Sequence, residues 1–386
     1  MQQTTDHNAT AAGHQYPNEN KIRFRLSGLG AATVVAFLVS TGLARADGAK
    51  QTAFKFYGQL NFGIFHVDDG QGNDTYLTDN DNSNSRFGII HQTELANGHR
   101  LKFHFESGLG FSGSAAATLD DNDLNLKWRR TELRKLEVVY STPAYGALSF
   151  GQGSTATDGV AETDFSGTSV VHYSSINALA GTIEFRDAGG AGSGSNINAA
   201  FRNFDGARRF RLRYDSPAVS GFVLSVSAGQ EVLRHGDDRN YYDLALRFDR
   251  DLDQFKVSGR IGYARAGSDR SSVASSIAFL HTSSGLNLAV ATGRQQETGA
   301  NYAYLKLGLK RRWNDLGETA LSFDVFEGDD LAGIGSQSAS YGIGFVQKWE
   351  RYNTELYAGY RRYELKGAAV AVEDINVAVI GARWKF

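Results

Sequence analysis

The sequence contains no cysteine, a single methionine and three prolines among its 386 residues. The absence of cysteine excludes disulfide bonds, thiolate zinc sites and cysteine nucleophiles. The formal net charge of −2 does not indicate the basic surface typical of nucleic-acid-binding proteins. The mean hydropathy of −0.35 is too low for a helical membrane protein. The chain is instead rich in glycine, with 44 residues, and in aromatic side chains, at 12%, a composition typical of β-barrels.

The first 46 residues have the pattern of an export signal. The basic stretch KIRFR (21–25) precedes an uncharged apolar run at 26–44, and ARA, which ends at Ala46, matches the A-x-A cleavage pattern. We therefore predict a signal peptide with an extended N-terminal region over 1–46, cleaved after Ala46, and an exported domain over 47–386. The alternative is a helical membrane anchor, since the apolar run is nearly long enough to span a bilayer.

Beyond the export signal, apolar and polar side chains alternate in one short segment after another. In FKFYGQLNFGI, Phe54 and Phe56 share one face while Lys55 and Tyr57 lie on the other. A period of two residues indicates β-strands whose two faces have different surroundings. Sixteen such segments are predicted, near 53–67, 84–95, 100–111, 126–141, 147–153, 207–215, 222–230, 241–249, 254–264, 272–281, 285–294, 301–311, 318–327, 338–349, 354–364 and 374–386.

The connections between these segments indicate a transmembrane barrel. Short turns such as 96–99 and 142–146 alternate with longer loops such as 68–85 and 265–272. Short turns on one side and long loops on the other are the layout of bacterial outer-membrane barrels, and an even strand count brings both termini to the short-turn side. The last segment, INVAVIGARWKF, also alternates and ends on the aromatic Phe386. We therefore predict an all-β fold, a transmembrane antiparallel β-barrel of 16 strands.

One connection is far longer than a surface loop requires. It runs from about 154 to 206, between the fifth and sixth predicted strands. Connections of this length in compact folds are usually functional or disordered. We predict a long inner loop here. The alternative is an extra hairpin made of VVHYSSINAL and GTIEFR, which would give eighteen strands.

In this order and spacing, the segments resemble the Gram-negative porin family. The matching stretches are FYGQLNFGI, then SRFGI and ELANGHRLKFHFESG within 85–108, PAYGALSFGQGS (143–154), RLRYDSPAVSGF (211–222) and the aromatic-terminated last strand. The resemblance implies a homotrimeric outer-membrane channel for passive diffusion of small hydrophilic solutes and ions. It also implies that the loop at 154–206 folds into the pore as its constriction, and that the barrel assembly machinery recognises Phe386.

Charged residues whose parity directs them to the lumen are the candidates for the pore lining. Arg209, Arg211 and Arg213 alternate with apolar residues that must face lipid, which predicts an arginine ladder on the inner wall. Arg86 has the same parity. The inner loop offers three acids opposite this wall, and facing acids and bases at a narrow waist would create a transverse field that orients polar solutes. The three acids are Asp158, Glu162 and Asp164.

Arg134 is a further candidate whose direction the pattern leaves open. If Leu136 and Val138 point outward, Arg134 points outward too, where it could pair with Glu132 at a subunit contact. A β-bulge in this strand would instead reverse the parity and place Arg134 in the pore.

No catalytic or metal-binding motif is complete in the sequence. DNDNS (79–83) begins like a calcium loop, but Asn84 replaces the required glycine and Ile90 the required glutamate. GQGSTA (151–156) imitates a dinucleotide-binding motif without the βαβ unit that must accompany it. We therefore predict a channel without cofactor, metal site, nucleic-acid partner or enzymatic activity. A substrate-selective or anion-selective porin is the nearer alternative, and an outer-membrane barrel enzyme, such as a lipase or protease, is the more distant one.

Overall fold

The computed structural model describes residues 51–367 and 370–386, so the predicted signal peptide and its cleavage site after Ala46 lie outside the described residues. The described part contains nineteen β-strands and one short α-helix, α1. None of its helices is long and apolar enough to cross a membrane. The elements are β1 (Gln51–Asp68), β2 (Asn73–Asp79), β3 (Arg86–Glu94), β4 (Arg100–Gly108), β5 (Leu133–Thr142), β6 (Gly146–Ser154), β7 (Glu184–Arg186), β8 (Gly192–Asn196), α1 (Ile197–Ala200), β9 (Arg208–Asp215), β10 (Phe222–Gln230), β11 (Asn240–Leu252), β12 (Phe255–Ala266), β13 (Arg270–His281), β14 (Leu286–Gln295), β15 (Asn301–Asn314), β16 (Gly317–Asp329), β17 (Gln337–Trp349), β18 (Thr354–Lys366) and β19 (Ile375–Lys385).

Sixteen of these nineteen strands form a closed antiparallel barrel. Consecutive strands pair from β3 to β6 and from β9 to β19, β6 pairs with β9 across the long connection, and β1 closes the ring between β3 and β19. β2 pairs with residues 62–68 of β1, in the part of that strand that does not pair with β3. The prediction of sixteen strands is confirmed. The alternative of eighteen is wrong, because β7 and β8 pair with each other in a separate sheet instead of joining the wall.

The strands form where the sequence alternates, because the inside and the outside of the barrel differ. In β15, Tyr302, Tyr304 and Lys306 point inward and are buried, whereas Leu305 and Leu307 point outward and are exposed. A closed ring satisfies the backbone hydrogen bonds between strands, so outward apolar side chains can face lipid. The same outward exposure is found on β1, on β19 and at the residue that follows β19, for Phe54, Phe56, Ile64, Ile380, Trp384 and Phe386.

Short turns lie at one edge of the barrel and the longer connections at the other. Both Pro143 and Pro217 lie in short-edge turns, outside the hydrogen-bonded strands. The prediction of a long loop at 265–272 is wrong, because β12 and β13 continue their pairing until only 267–269 remain between them. The three longest connections at the other edge are 69–85, 109–132 and 155–207.

The connection 155–207, called the inner loop below, lies inside the barrel and builds a hydrophobic core there. Its Phe201 ring lies 5.5 Å from the Phe326 ring and 5.1 Å from the Tyr363 ring, measured between centroids. Burying one such side chain contributes roughly 1.5–3 kcal/mol. The wall residues of this core come from β1, β2 and β14–β19. A sixteen-stranded porin barrel otherwise encloses an aqueous channel, so the inner loop fills one side of the lumen with protein.

Candidate functional site: a charged cavity inside the barrel

The inner loop is hydrogen-bonded to the inside of the wall from one strand to the next. The wall partners lie on β10, β12, β13, β16 and β18, in the order in which the loop passes them. The loop is therefore attached along an arc of the wall rather than at its two ends alone. The bonded pairs are Ala156 with Ser227, Gly159 with Arg260, Val160 with Ser276, Thr168 with Ser322 and Ile176 with Tyr363.

Two buried ion pairs lie where the middle of the loop meets the wall. Lys306 Nζ of β15 donates to Asp164 Oδ2 at 2.9 Å and to the backbone oxygen of His172 at 2.6 Å. Beside them, Arg361 Nη2 donates to Asp324 Oδ1 at 2.5 Å, and His172 Nδ1 lies 3.4 Å from the other Asp324 oxygen. Burial, together with the charges of Arg361 and Lys306, lowers the pKa of His172, so its ring is neutral. Asp164, one of the three predicted pore acids, therefore attaches the loop to the wall.

Glycines of the wall make room for this part of the loop. A Cβ atom on Gly359 of β18 would lie 2.2 Å from Val171 Cγ1, and one on Gly344 of β17 would lie 3.0 Å from His172 Nδ1. Both distances are shorter than ordinary van der Waals contact. At Gly359 any side chain would displace the loop, and at Gly344 a side chain would require its neighbours to move by a few tenths of an ångström.

The motif DNDNS (79–83), which runs from the last residue of β2 toward β3, also holds the inner loop. Asn80 Nδ2 donates to Val170 O and Asn82 Nδ2 donates to Val171 O, both at 2.9 Å. In residues 51–367 and 370–386, no group of three His, Asp or Glu side chains is placed to hold a metal ion. The polar residues of this motif thus position the inner loop.

A cavity of about 360 Å³ remains between wall and loop on the side of β3, β5 and β9. Arg86, Arg134 and Arg208 line it from the wall, each at or next to the first residue of its strand. Asp158 and Glu162 line it from the loop, and Arg208 Nη1 lies 4.0 Å from Asp158 Oδ2. Positive and negative side chains thus face each other across this space, called the charged cavity below. Its lining is completed by Asp81, Asn82, Ser83, Asn84, Tyr173, Ser175, Asn203, Asp205, Gly206 and Ala207.

A β-bulge turns Arg134 into the lumen. Glu106 of β4 pairs with Lys135, and Ser107 pairs with Leu133, so Arg134 has no opposite residue in the ladder. Arg134 Nε donates to Glu106 Oε1 at 2.6 Å. Of the two directions that the sequence leaves open, the structure has the inward one.

The arginine ladder of β9 points inward, as its alternation predicts, and its three side chains are held by acids outside the inner loop. Its ion pairs are made with acids of the barrel strands and their ends, which lie closer to it than the inner-loop acids do. The ladder therefore forms no ion pair with Asp158, Glu162 or Asp164 in the described chain. The pairs are Arg209 with Glu231 at 3.3 Å, Arg211 with Glu137, and Arg213 with Asp215 at 2.7 Å.

Arg208 is the wall arginine that the sequence analysis misses. By strict alternation it shares a face with Phe210 and Leu212 and should point outward. It is the first residue of β9, directly after the inner loop, and there its side chain is directed to the charged cavity. Its place at the junction of loop and strand is the sequence signal that could have identified it.

Comparisons with known proteins agree with this architecture. A family model described as Gram-negative porin matches residues 31–368. The chain belongs to the Gram-negative porin family. No curated protein sequence matches it closely enough to count as a relative.

Solved structures of outer-membrane channels have the same fold as this porin. An anion-selective porin from Comamonas acidovorans has a TM-score of 0.57 and 16% identity, covering 87% of this chain and 100% of that one. OprB of Pseudomonas putida has a TM-score of 0.58 and 10% identity, covering 86% and 94%. The channel DcaP of Acinetobacter baumannii has a TM-score of 0.56 and 12% identity, covering 87% and 97%. Family and fold together make this porin an outer-membrane diffusion channel.

Burial weakens the acidity of the carboxyl groups in the porin's charged cavity. Burial, reinforced by the charge of Asp158, raises the pKa of Glu162 to about 7. Burial also raises the pKa of Asp81 to about 6 and that of Asp205 well above its ordinary range. At neutral pH the acidic side of the cavity is therefore only partly ionised, while guanidinium groups keep their charge.

Phe386 of the porin lies at the seam where the barrel closes. Its backbone N–H donates to Gly58 O of β1 at 3.1 Å, and its carbonyl oxygen accepts from the Gly58 N–H at 2.9 Å. Its ring is exposed on the outward face, 5.0 Å from the ring of Trp384. Phe386 thus continues the outward aromatic row of β19.

Proposed function

We propose that small hydrophilic solutes and ions cross the outer membrane through the charged cavity, which acts as the constriction of this porin. The observation that carries the proposal is the division of the lumen by the inner loop. The hydrophobic core fills the side of β14–β19, and the charged cavity lies on the side of β3, β5 and β9. A hydrated solute requires the polar side.

The facing charges give this constriction a transverse field. Arg86, Arg134 and Arg208 lie on one side of the path, and Asp158 and Glu162 on the other. Such a field orients dipolar solutes as they pass, and it disfavours apolar solutes, which cannot replace the oriented water between the charges. Wall and loop thus select together for polar solutes.

We infer that the constriction prefers anions at neutral pH and below. The raised pKa values of Glu162 and Asp205 leave the acidic side partly protonated, whereas the three arginines keep their charge. The structurally similar protein from Comamonas acidovorans is described as an anion-selective porin, which supports the same direction of selectivity for this chain.

Neutralising the two sides of the constriction should shift ion selectivity in opposite directions. In a planar bilayer under a KCl gradient, the variant Arg86→Gln/Arg208→Gln should move the zero-current potential toward cation preference. The variant Asp158→Asn/Glu162→Gln should move it toward anion preference. Both shifts should shrink at about 1 M salt, where the screening length falls to about 3 Å.

Arg312→Gln is the matched control for these charge variants. Arg312 is exposed near the short-turn edge, where it pairs with Glu350 at 2.5 Å, and it does not line the charged cavity. Its loss should leave the zero-current potential unchanged. If neither set of charge variants moves the potential beyond this control, the constriction lies elsewhere in the barrel.

The anion preference should rise as the pH falls through neutrality. From about one unit above the Glu162 pKa of about 7 to about one unit below it, this carboxyl group takes up a proton and loses its negative charge. The net charge of the cavity then depends on the charged groups around Glu162. These are Asp158 and Asp205 on the loop, Arg208 on β9 and Arg260 on β12. The zero-current potential measured across this pH range should therefore move toward anions on acidification.

Glu162→Gln should remove most of this pH response and leave a channel with the potential of the acidic wild type. The smaller change that remains should come from Asp205, whose pKa burial raises, and from Asp81 with its pKa of about 6. A Glu162→Gln porin with the full wild-type response would contradict the assignment.

We also propose that the chain is exported by its signal peptide and works as a homotrimer whose insertion depends on the barrel assembly machinery. The family resemblance supports these steps. The outward faces of β1, β3, β4 and β5 offer an apolar surface for lipid or a second subunit. Exposed side chains on these faces include Phe56, Phe87, Leu101, Phe103, Leu136 and Val138.

A further inference from the structure

A second cavity, of about 420 Å³, lies at the edge of the barrel that carries the long connections. Residues 205–207 of the inner loop line both this cavity and the charged cavity. The other walls come from the long-edge ends of β9, β11, β12, β13 and β14. A solute that arrives from this edge meets the second cavity, called the long-loop cavity below, next to the constriction.

Four arginines, Arg202, Arg209, Arg265 and Arg270, line the long-loop cavity with hydrogen-bond donors that the described chain does not use. Arg265 donates through Nε to Gly267 O at 3.1 Å. Arg270 makes no side-chain hydrogen bond or ion pair with any described residue. Arg202 donates through Nη2 to Leu331 O at 2.7 Å. The Arg209 guanidinium lies 4.3 Å from the centroid of the Tyr241 ring, and its Nε is buried without a partner in the described part of the chain.

The acids that line this cavity are already hydrogen-bonded. Asp205 accepts from the N–H groups of Gly159 and Ala161, at 2.7 Å each. Asp243 accepts from two hydroxyl groups. The carboxylates are therefore engaged with the protein, whereas the guanidinium groups have donors to spare.

Two further acids lie at the rim of the cavity. Glu231 lies 3.3 Å from Arg209 Nη1, and Glu297 accepts from the Ser271 hydroxyl at 2.7 Å. Neither forms an ion pair with Arg202 or Arg270 in the described chain. Arg202 and Arg270 line the same cavity, and burial, followed by the positive charge of Arg270, lowers the pKa of Arg202.

We propose that the long-loop cavity binds a small dianionic solute, carrying phosphate or carboxylate groups, between Arg202 and Arg270. The proposal rests on the diffusion function stated above and names a class of solute for it. Guanidinium groups bind both oxyanions through parallel, charge-assisted hydrogen bonds. The volume of the cavity falls in the range of small-molecule sites, roughly 300–1,000 Å³. Binding here raises the local concentration of the solute beside the constriction.

The test measures inhibition of KCl conductance by inorganic phosphate and, separately, by succinate, added to one side of a bilayer that holds the purified full-length porin. Either anion should inhibit at a lower concentration from the long-loop side than from the short-turn side. The variant Arg202→Gln/Arg270→Gln should raise the half-inhibitory concentration about tenfold, because the charge-assisted hydrogen bonds from the two guanidinium groups to the anion are lost. Inhibition by only one of the two anions supports the proposal and identifies the group that is bound.

Two further variants keep the test decisive. Arg270→Gln alone removes an exposed side chain that makes no hydrogen bond or ion pair with a described residue, so it should fold and should still weaken the inhibition. Arg294→Gln removes the same charge at the same edge from the outward face of β14, outside the cavity, and should behave as wild type.

A porin that conducts KCl but responds to neither anion overturns this proposal and leaves the diffusion function intact. Equal inhibition of wild type and Arg202→Gln/Arg270→Gln overturns it too, as does an equal effect of Arg294→Gln. Absence of any conductance in the folded protein would instead overturn the diffusion function.

Discussion

Replacing residues 165–201 of the inner loop by a Gly/Ser linker should raise the single-channel conductance about twofold or more, because a sixteen-stranded porin barrel without such a filling encloses an aqueous channel. The replaced segment supplies the loop side of the hydrophobic core that occupies the lumen near β14–β19. Water and ions would enter this volume in the variant. Single-channel recording in KCl measures the change.

The same replacement should make the barrel less stable. Phe65, Tyr302, Phe326, Tyr363 and Ile375 of the wall would lose their apolar partners. Each side chain of this kind contributes roughly 1.5–3 kcal/mol when it is buried. Thermal unfolding in detergent should therefore begin at a lower temperature than in wild type.

A control that shortens the exposed loop tip at 234–236 should change neither conductance nor unfolding, because that tip lies outside the core. Unchanged conductance of the 165–201 replacement, in a sample that retains its barrel, would mean that the inner loop does not restrict the lumen.

Replacing Lys306 by methionine should detach the middle of the inner loop at a cost of about 3–5 kcal/mol, the range for removing one partner of a buried ion pair. Asp164 would keep only the hydrogen bonds from Ser166, and the His172 carbonyl would lose its donor. Burial raises the pKa of Asp164, but the charge and hydrogen bond of Lys306, together with the hydrogen bonds from Ser166, hold this pKa below its ordinary value. Without Lys306 this pKa should rise, so the carboxyl group becomes easier to protonate.

Trypsin digestion of the folded porin measures the detachment, because Arg186 and Arg202 lie within the loop. Lys306→Met should be cut there faster than wild type, and its single-channel current should fluctuate more. Lys310→Met is the control, since Lys310 lies on the same face of β15 and forms no ion pair with a described residue. The double variant Lys306→Met/Asp164→Asn should recover part of the resistance, because it removes the unpaired charge. Identical digestion of Lys306→Met and Lys310→Met would refute the role of the ion pair.

The barrel could be predicted from the sequence because each strand carries its own signal. Leu305 and Leu307 point outward while Lys306 between them faces the loop, and this local alternation requires no knowledge of the neighbouring strands. Phe65 and Val67 are exceptions to the alternation of outward apolar and inward polar side chains. They place apolar side chains on the inward face of β1, since the inner loop covers them there. Alternation alone predicts a water-filled lumen. It cannot predict this hydrophobic core, which forms only where the inner loop packs against the wall.

The charged site was harder to predict because its residues depend on pairing between distant segments. The direction of Arg134 follows from a bulge opposite Glu106 and Ser107, which is a property of two strands in register. The direction of Arg208 depends on where the inner loop returns to the ladder. Arg211 pairs with Glu137 of β5, a residue of a strand separated from β9 in sequence by the whole inner loop.

In the constriction proposed above, the close approach of the inner loop to Gly344 and Gly359 makes the size limit and the charge preference separable properties. A methyl group at Gly359 would meet Val171 and displace the loop from the wall, toward the open side of the lumen. The cross-section left for a solute therefore depends on side-chain volume behind the loop, at positions that no solute contacts. In the function proposed above, the sign of the preferred ion depends on Arg86, Arg208 and Glu162 on the other side of the loop. Sequence changes on the two sides of one loop can thus alter molecular sieving and ion selection independently.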